Sequence, residues 1–182
     1  MRILILGASY GSLLSTKLLM AGHDVSLVCL PEEAELINAE GTTIRITLRG
    51  EDEPRLIRSK SQPGTLNAVI PHDALPSDYD LVALAMQEPQ YRAAEVRDLL
   101  GRIAISGVPV MSIMNMPPLP YLLRIPGLDA GALKDCFTDA SVWDGFDPAR
   151  FTLCSPDPQA FRPPAEGLNF LHVGLPTNFK AA

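Results

Sequence analysis

The segment RILILGASYGS, from Arg2 to Ser12, gives the clearest indication of the fold of this chain. Its apolar run RILIL predicts a strand that is buried on both faces, as in a parallel sheet. Leucines at helical spacing follow and predict a helix that opens near Ser12. A glycine-rich turn between such a strand and such a helix is typical of a phosphate site, because backbone N–H groups and the helix dipole hold the anion.

The glycines of this turn fit a dinucleotide-binding loop. Gly7 takes the place of the first glycine, which permits the tight bend, and Gly11 that of the last, which lets the helix pack on the strand. Ser9 stands where the middle glycine would be, and the loop is one residue shorter than G-x-G-x-x-G. We therefore expect Gly7, Ala8, Ser9, Tyr10 and Gly11 to bind the cofactor, the alternative being a turn that serves packing alone.

The same turn also matches G-x-S-x-G around Ser9, the pattern of a hydrolase nucleophile. Such a nucleophile follows several strands, and its acid and histidine lie on later loops. Ser9 ends the first strand, and although His72 and His172 come later, nothing else marks a triad. The hydrolase interpretation is the weaker one.

Strand and helix patterns alternate along the first 125 residues. Predicted strands are DVSLVCL, DYDLVALAM and VPVMSIM, and predicted helices are PEEAELINAEG and EPQYRAAEVRDLLGRI. Parallel strands joined by helices predict an α/β fold, a Rossmann-like doubly wound and mostly parallel sheet with helices on both faces. Between about 42 and 70 the short pieces TTIRITLRG, PRLIRS and LNAVI predict a small antiparallel excursion.

A change in composition predicts one domain with an appended extension. Residues 1–125 form the predicted Rossmann NAD(P)-binding domain. Residues 126–182 are rich in proline and loop-like, and they are expected to form an irregular extension with one or two further strands, packed on the same domain. RFTLC and LNFLHVG are the candidate strands.

Composition excludes several classes of function. The net charge is −6 and the Lys and Arg residues are scattered, which disfavours a nucleic-acid partner. No apolar run approaches the roughly 20 residues of a membrane span, and no signal peptide is evident, so a cytoplasmic protein is expected. The 3 cysteines and 3 histidines are widely spaced, which predicts neither a disulfide framework nor a metal site.

Three segments together resemble the N-terminal domain of the ketopantoate reductase (2-dehydropantoate 2-reductase) family. They are ILGASYGSLLSTKLLMAGHDVSLVCL, DYDLVALAMQEPQ and VPVMSIMNMPP, over roughly residues 1 to 125. The resemblance implies a domain that binds NADP(H), followed by a helical domain whose lysine protonates the substrate oxygen after hydride transfer to a 2-keto acid. It also implies that Asn115 holds substrate or nicotinamide, the alternative being an asparagine that satisfies turn backbone.

The chain departs from the family pattern in three places. Gln87 stands where the family often has a lysine. Leu30, followed by Pro31, Glu32 and Glu33, stands where a basic residue commonly meets the 2′-phosphate of NADP. Acidic groups there favour a free 2′-hydroxyl, so NADP and NAD both remain open as cofactors. The resemblance further implies that the helical domain with the catalytic lysine lies beyond these residues, so we expect no counterpart of that lysine among them.

These observations lead to one hypothesis and one alternative. The hypothesis is an NAD(P)-binding domain of an oxidoreductase that reduces a small 2-keto acid, a fragment that is inactive alone, with a homodimer expected from exposed apolar surface. Asn115 is the catalytic candidate, and Leu30, Glu32 and Gln87 join residues 7–11 as cofactor-binding candidates. The alternative is a non-catalytic nucleotide-sensing or interaction module with a degraded loop.

Overall fold

The chain folds into two β-sheets and four α-helices within residues 1–129, 131–154 and 160–177, the part that this computed structural model describes. The strands are β1 (Arg2–Leu6), β2 (Asp24–Val28), β3 (Thr43–Leu48), β4 (Arg55–Arg58), β5 (Leu66–Val69), β6 (Leu81–Leu84), β7 (Val110–Ser112), β8 (Phe151–Leu153), β9 (Ala160–Phe161) and β10 (Phe170–Thr177). The helices are α1 (Ser12–Met20), α2 (Pro31–Glu40), α3 (Ala94–Ser106) and α4 (Leu119–Leu122).

The larger sheet has six parallel strands in the order β5-β2-β1-β6-β7-β8. After β1 the chain builds outward through β2 and β5, and it then returns to place β6 on the other side of β1. The strand order therefore reverses between β1 and β6. In open α/β sheets ligands bind outside the carboxyl ends of the strands at such a point.

Helices cover both faces of this sheet because successive residues of β1 point to opposite sides. Ile3 and Ile5 pack in the cluster that contains residues of α1 and α2, whereas Leu4 and Leu6 pack in the cluster that contains residues of α3. All four are at most 1% exposed. This arrangement confirms the predicted doubly wound α/β fold.

The smaller sheet is mixed, in the order β4-β3-β10-β9. Strands β3 and β4 form the predicted antiparallel pair, but β10 runs parallel to β3 on its other side. Leu13 of α1 packs with Ile44, Ile46, Leu171 and Val173 of this sheet. Helix α1 is therefore shared by both sheets.

The antiparallel excursion is shorter than the predicted range of about 42–70. The segment LNAVI supplies β5, which pairs parallel with β2 and forms an edge of the larger sheet. Its alternation is that of an edge strand, and the sequence offers no local sign of which sheet it joins. The Asn38 side chain of α2 donates to the carbonyl of Ala68 (2.9 Å) and accepts from its N–H (2.8 Å), so a carboxamide occupies one outward backbone pair of this edge.

Residues beyond 125 contribute to both sheets. Strand β8 joins the larger sheet beside β7, and β9 and β10 belong to the smaller one. Trp143 is buried, and its ring contacts Tyr91, Phe146 and Phe151. Residues 130, 155–159 and 178–182 of the predicted extension lie outside the described residues, and the boundary at 125 stays a prediction. Among the helices of the described ranges, none is long and apolar enough to span a bilayer.

Candidate functional site

Gly7 makes the turn after β1 possible. Its φ is +109°, and an added Cβ would come within 2.5 Å of the carbonyl oxygen of Ala85, which follows β6. The Gly7 N–H donates to the carbonyl of Val28 at the end of β2 (3.1 Å). The turn is thus held between the two neighbouring strands at the point where the strand order reverses, and only glycine fits.

Gly11 brings α1 close to the sheet. A Cβ at this position would meet Ile5 Cγ2 at 2.4 Å and the Gly7 carbonyl oxygen at 2.6 Å. The Gly11 N–H closes the turn on the Gly7 carbonyl (2.9 Å), and the Ser12 hydroxyl donates to the carbonyl of Ser9 (2.7 Å). Gly11 therefore has the packing role that the sequence assigned to the last glycine.

The three residues between these glycines leave their backbone donors available. Within the described ranges, the N–H groups of Ala8, Ser9 and Tyr10 donate to no protein acceptor. Consecutive N–H groups in a turn form a concave site that suits an anion. The turn therefore has the donors that a diphosphate requires.

A cleft of about 690 Å³ lies along this turn. It runs past the ends of β1 and β2, and its lining includes Gly7, Ala8, Ser9, Tyr10, Leu30, Glu33, Gln87 and Arg162. This volume is within the range of small-molecule and cofactor sites. Glu32 is exposed on α2 and is not part of the lining, whereas its neighbour Glu33 is buried and faces the cleft.

A second cleft, of about 310 Å³, continues along the same edge beyond β6 and β7. Ile113, Met114 and Asn115 form its far side. Tyr10 and Gln87 line both clefts, and the Gln87 side-chain amide donates to the Tyr10 hydroxyl at 2.6 Å. This hydrogen bond marks the junction of the two clefts.

The segment after β6 is held in place by its own hydrogen bonds. The Gln87 N–H donates to the side-chain oxygen of Gln90 (2.8 Å), and the Met86 N–H donates to the hydroxyl of Tyr91 (3.0 Å). Tyr91 is fully buried, and burial raises the pKa of its phenol above the usual range. Tyr91 is therefore an uncharged structural support that fixes the backbone beside Gln87.

Asn115 is exposed at the mouth of the smaller cleft, after the carboxyl end of β7. Among the described residues its carboxamide makes no hydrogen bond. An asparagine that serves only its turn would bond to nearby backbone. The side chain is thus available to a ligand in this cleft, which is the position that the sequence analysis expected.

The end of the larger cleft beside β2 carries three polar groups, Cys29, Glu33 and Arg162, of which only Glu33 was noted from the sequence, as an acidic neighbour of Glu32. Glu33 accepts from the Leu30 N–H (3.1 Å) and from the guanidinium of Arg162. Cys29 is buried, and desolvation raises the pKa of its thiol to about 11 even though Arg162 acts in the opposite direction. Burial also lowers the pKa of Arg162.

The side chains that a hydrolase triad or a metal site would require are missing from this edge among the described residues. Neither cleft is lined by a histidine within the described ranges, so Ser9 has no base for the hydrolase interpretation. His172 instead lies on β10 against the ring of Phe161, with the ring centroids 5.1 Å apart. No group of three or more His, Cys, Asp or Glu residues in the described part of the chain could hold a metal ion.

Solved structures with this architecture are known. One, from Ralstonia solanacearum MolK2, is described as a ketopantoate reductase; it matches with a TM-score of 0.66 at 19% identity over 96% of this chain and 49% of its own. Two described as 2-dehydropantoate 2-reductases match similarly. That from Enterococcus faecalis has a TM-score of 0.58 at 18% identity (95% and 45% covered), and that from Bacillus subtilis has 0.53 at 20% (96% and 46%).

The chain has the fold of the ketopantoate reductases. The resemblance inferred from the turn and strand segments is thereby confirmed as a likeness of fold, and the chain spans about half the length of these structures. No protein-family model and no curated protein sequence matches it.

Proposed function

We propose that this chain is the NAD(P)-binding part of a ketopantoate-reductase-like oxidoreductase that reduces a small 2-keto acid. The observation that carries the proposal is the row of unpaired N–H groups at Ala8, Ser9 and Tyr10, at the point where the strand order reverses. A diphosphate would accept from these donors. Ser9 in place of a glycine adds a hydroxyl that can donate as well.

The two clefts suit the two ends of a dinucleotide. The adenosine would lie in the larger cleft beside Leu30 and Glu33, and the nicotinamide would lie toward the smaller cleft, past Tyr10 and Gln87. Ile113 and Met114 give that end an apolar wall, which excludes water from the reacting atoms. When bound, the nicotinamide supplies or accepts the hydride.

Asn115 is the proposed substrate-positioning group. Its amide can donate to the keto oxygen, where negative charge develops during reduction, and such donors lower the barrier when they are fixed in advance. The lining of the two clefts holds no lysine or histidine among the described residues. We therefore expect the proton donor to come from outside this lining, as the resemblance implies.

Cytoplasmic location and a homodimer stay predictions.

Calorimetric titration with NADH and with NADPH tests the proposal. We expect micromolar binding of at least one cofactor, and we expect Ser9→Asp to weaken it by tenfold or more, because a carboxylate would face the diphosphate. Ser61→Asp is the matched control, since Ser61 is exposed and lines neither cleft. Millimolar or weaker binding of both cofactors by the folded protein would refute the proposal.

A second candidate function is a nucleotide-sensing module without catalysis. The hydrogen bond from Gln87 to Tyr10 favours it, because it joins two side chains at the junction of the clefts, on the path from the dinucleotide turn to the smaller cleft. The two candidates differ in whether substrate reaches the nicotinamide. With NADH bound, adding ketopantoate should change the nicotinamide fluorescence of a reductase domain. Unchanged fluorescence at saturating cofactor would favour the module.

A further inference from the structure

A buried carboxylate lies directly after β2, although its residue belongs to the first turn of α2. Glu33 is 7% exposed. One of its oxygens accepts from the Leu30 N–H (3.1 Å) and folds the side chain back toward the end of β2. In dinucleotide-binding folds, a carboxylate near the end of the second strand hydrogen-bonds the ribose 2′-hydroxyl of NAD. The hydrogen bond to the Leu30 N–H thus brings the Glu33 carboxylate near the end of β2, although Glu33 lies three residues after Leu30 in the chain.

The other oxygen of Glu33 accepts from Arg162, which follows β9 in the smaller sheet. Arg162 is the only basic side chain in the lining of the larger cleft among the described residues. Its Nε is buried and has no hydrogen-bond partner there. The charge of the guanidinium is therefore balanced by Glu33.

We propose that the Glu33–Arg162 pair makes this cleft selective for NADH over NADPH. The inference rests on the proposed function and names its cofactor. A carboxylate offers about four lone-pair positions, so Glu33 can still accept from ribose hydroxyls while it holds its two present donors. A 2′-phosphate would place up to two negative charges beside that carboxylate, and one shared guanidinium cannot compensate for them.

The other residues at this end of the cleft offer no positive charge to a 2′-phosphate. Leu30 and Pro31, which complete this end of the cleft, are apolar. Cys29 keeps its proton because its thiol pKa is about 11, so it adds no charge of either sign at neutral pH. Selectivity at the 2′-position therefore depends on Glu33 and Arg162.

The test compares the dissociation constants of NADH and NADPH in the full chain and in Glu33→Gln. We expect the unaltered chain to bind NADH at least tenfold more tightly, and Glu33→Gln to reverse the preference. Glutamine keeps an oxygen for the Leu30 N–H, so the start of α2 is retained, while Arg162 becomes available to the phosphate. Glu32→Gln is the matched control: it removes the same charge one residue away but outside the cleft, and should change the ratio less than twofold.

Two further variants measure the contribution of Arg162 separately from that of Glu33. Arg162→Met should keep NADH binding within a few fold and should weaken NADPH still more. In the double variant Glu33→Gln with Arg162→Met, the gain in NADPH affinity should disappear. If Glu33→Gln fails to fold, the unaltered chain can be tested with 5′-AMP and adenosine 2′,5′-bisphosphate as competitors of NADH. The ratio of their inhibition constants reports the same preference at the 2′-position.

The outcomes separate this inference from the proposed function. NADPH bound as tightly as NADH by the unaltered chain, or a ratio that Glu33→Gln leaves unchanged, would overturn the inference while the dinucleotide proposal stands. Failure of both cofactors to bind the folded chain would overturn both.

Discussion

At the scale of single residues, Gly7 combines two restrictions that can be measured separately. Its positive φ strains any L-residue, and its Cβ position is occupied by the Ala85 carbonyl oxygen. Gly50 shares the first restriction, with a φ of +93°, but has open space around it. The pair therefore distinguishes backbone strain from close approach.

We predict that Gly7→Ala lowers the free energy of unfolding by about 3 kcal/mol or more. Gly50→Ala should lower it by about 1 to 2 kcal/mol, the cost of a left-handed L-residue alone. Urea unfolding followed by circular dichroism measures both. Equal losses in the two variants would show that the turn can move away from the end of β6.

Cys29 allows a prediction about pH. Its thiol is buried and has a pKa of about 11, against an ordinary value of 9.0, so in the folded chain the thiolate becomes abundant only well above pH 9. Because the thiolate is the nucleophile, alkylation of Cys29 by iodoacetamide should be slow at pH 8 and should accelerate about tenfold per pH unit toward 11. Cys136 is exposed and should be modified first. Peptide mass spectrometry after timed labelling measures both rates, and equal labelling at pH 8 would contradict the prediction.

Sequence alone could reach part of the candidate site. Gly7 and Asn115 could be placed because each follows a strand with a clear pattern, and Gly11 because it directly precedes the predicted helix α1. Glu33 could be noted as one of the acidic residues that follow Leu30, but its burial and its bond to the Leu30 N–H could not be predicted, since leucine gives no capping-box pattern. Arg162 had no local signal, since its contact with Glu33 joins segments that only the folded chain brings together.

At the scale of elements, α3 contains a glycine in its interior and ends at another. Gly101 is exposed in the helix, and a methyl group added there would have nothing within 4 Å, whereas Gly107 caps the helix with a φ of +66°. The same substitution should therefore have opposite effects at two positions of one helix.

We predict that Gly101→Ala raises the free energy of unfolding by about 0.5 to 1 kcal/mol, because alanine restricts the unfolded chain and favours helix. Gly107→Ala should lower it by about 1 kcal/mol, because a left-handed cap disfavours a Cβ. Thermal unfolding monitored by circular dichroism measures both shifts. Destabilisation by Gly101→Ala would mean that this face of α3 is covered in solution.

The elements that could be predicted from sequence are those with a continuous apolar pattern and a clear stop. β1, β2 and α2 belong to this class, and α2 starts and ends as Pro31 and Gly41 indicate. β5 could be predicted as a strand but not assigned to its sheet. β5 pairs with β2 because of where β2 lies in the folded chain, and the residue pattern of LNAVI contains no information about that position.

At the scale of the whole molecule, the question is whether the two sheets unfold together. Helix α1 packs against both, and β10 lies in the centre of the smaller sheet. Trp143, the one tryptophan of the chain, reports on the core of the larger sheet. A change in the smaller sheet should therefore be visible at Trp143 if the molecule is one cooperative unit.

We predict that Leu171→Ala lowers the unfolding midpoint seen by Trp143 fluorescence, with a loss of about 2 to 5 kcal/mol for a leucine buried to 1% exposure. Leu175→Ala is the control on the same strand, since Leu175 is 66% exposed, and should change little. If Leu171→Ala leaves the unfolding midpoint seen by Trp143 fluorescence unchanged, the smaller sheet unfolds by itself.

The overall architecture could be predicted because alternating strands and helices leave few topologies. The smaller sheet could not, since its central pairing joins β3 to β10 across most of the chain and no local pattern encodes that register. The fold likeness to the reductases extends over both sheets, which is why it covers nearly all of this chain.

The Asn38 carboxamide, which is hydrogen-bonded to β5, affects how readily this protein aggregates at high concentration. An unprotected outer strand is a template on which foreign or identical strands can add, and growth of that kind leads to fibrous deposits. Because Ala68 already has both backbone groups occupied, an incoming strand would first have to displace a bidentate partner. One side chain thus gives an otherwise open border of the molecule a barrier against misassembly.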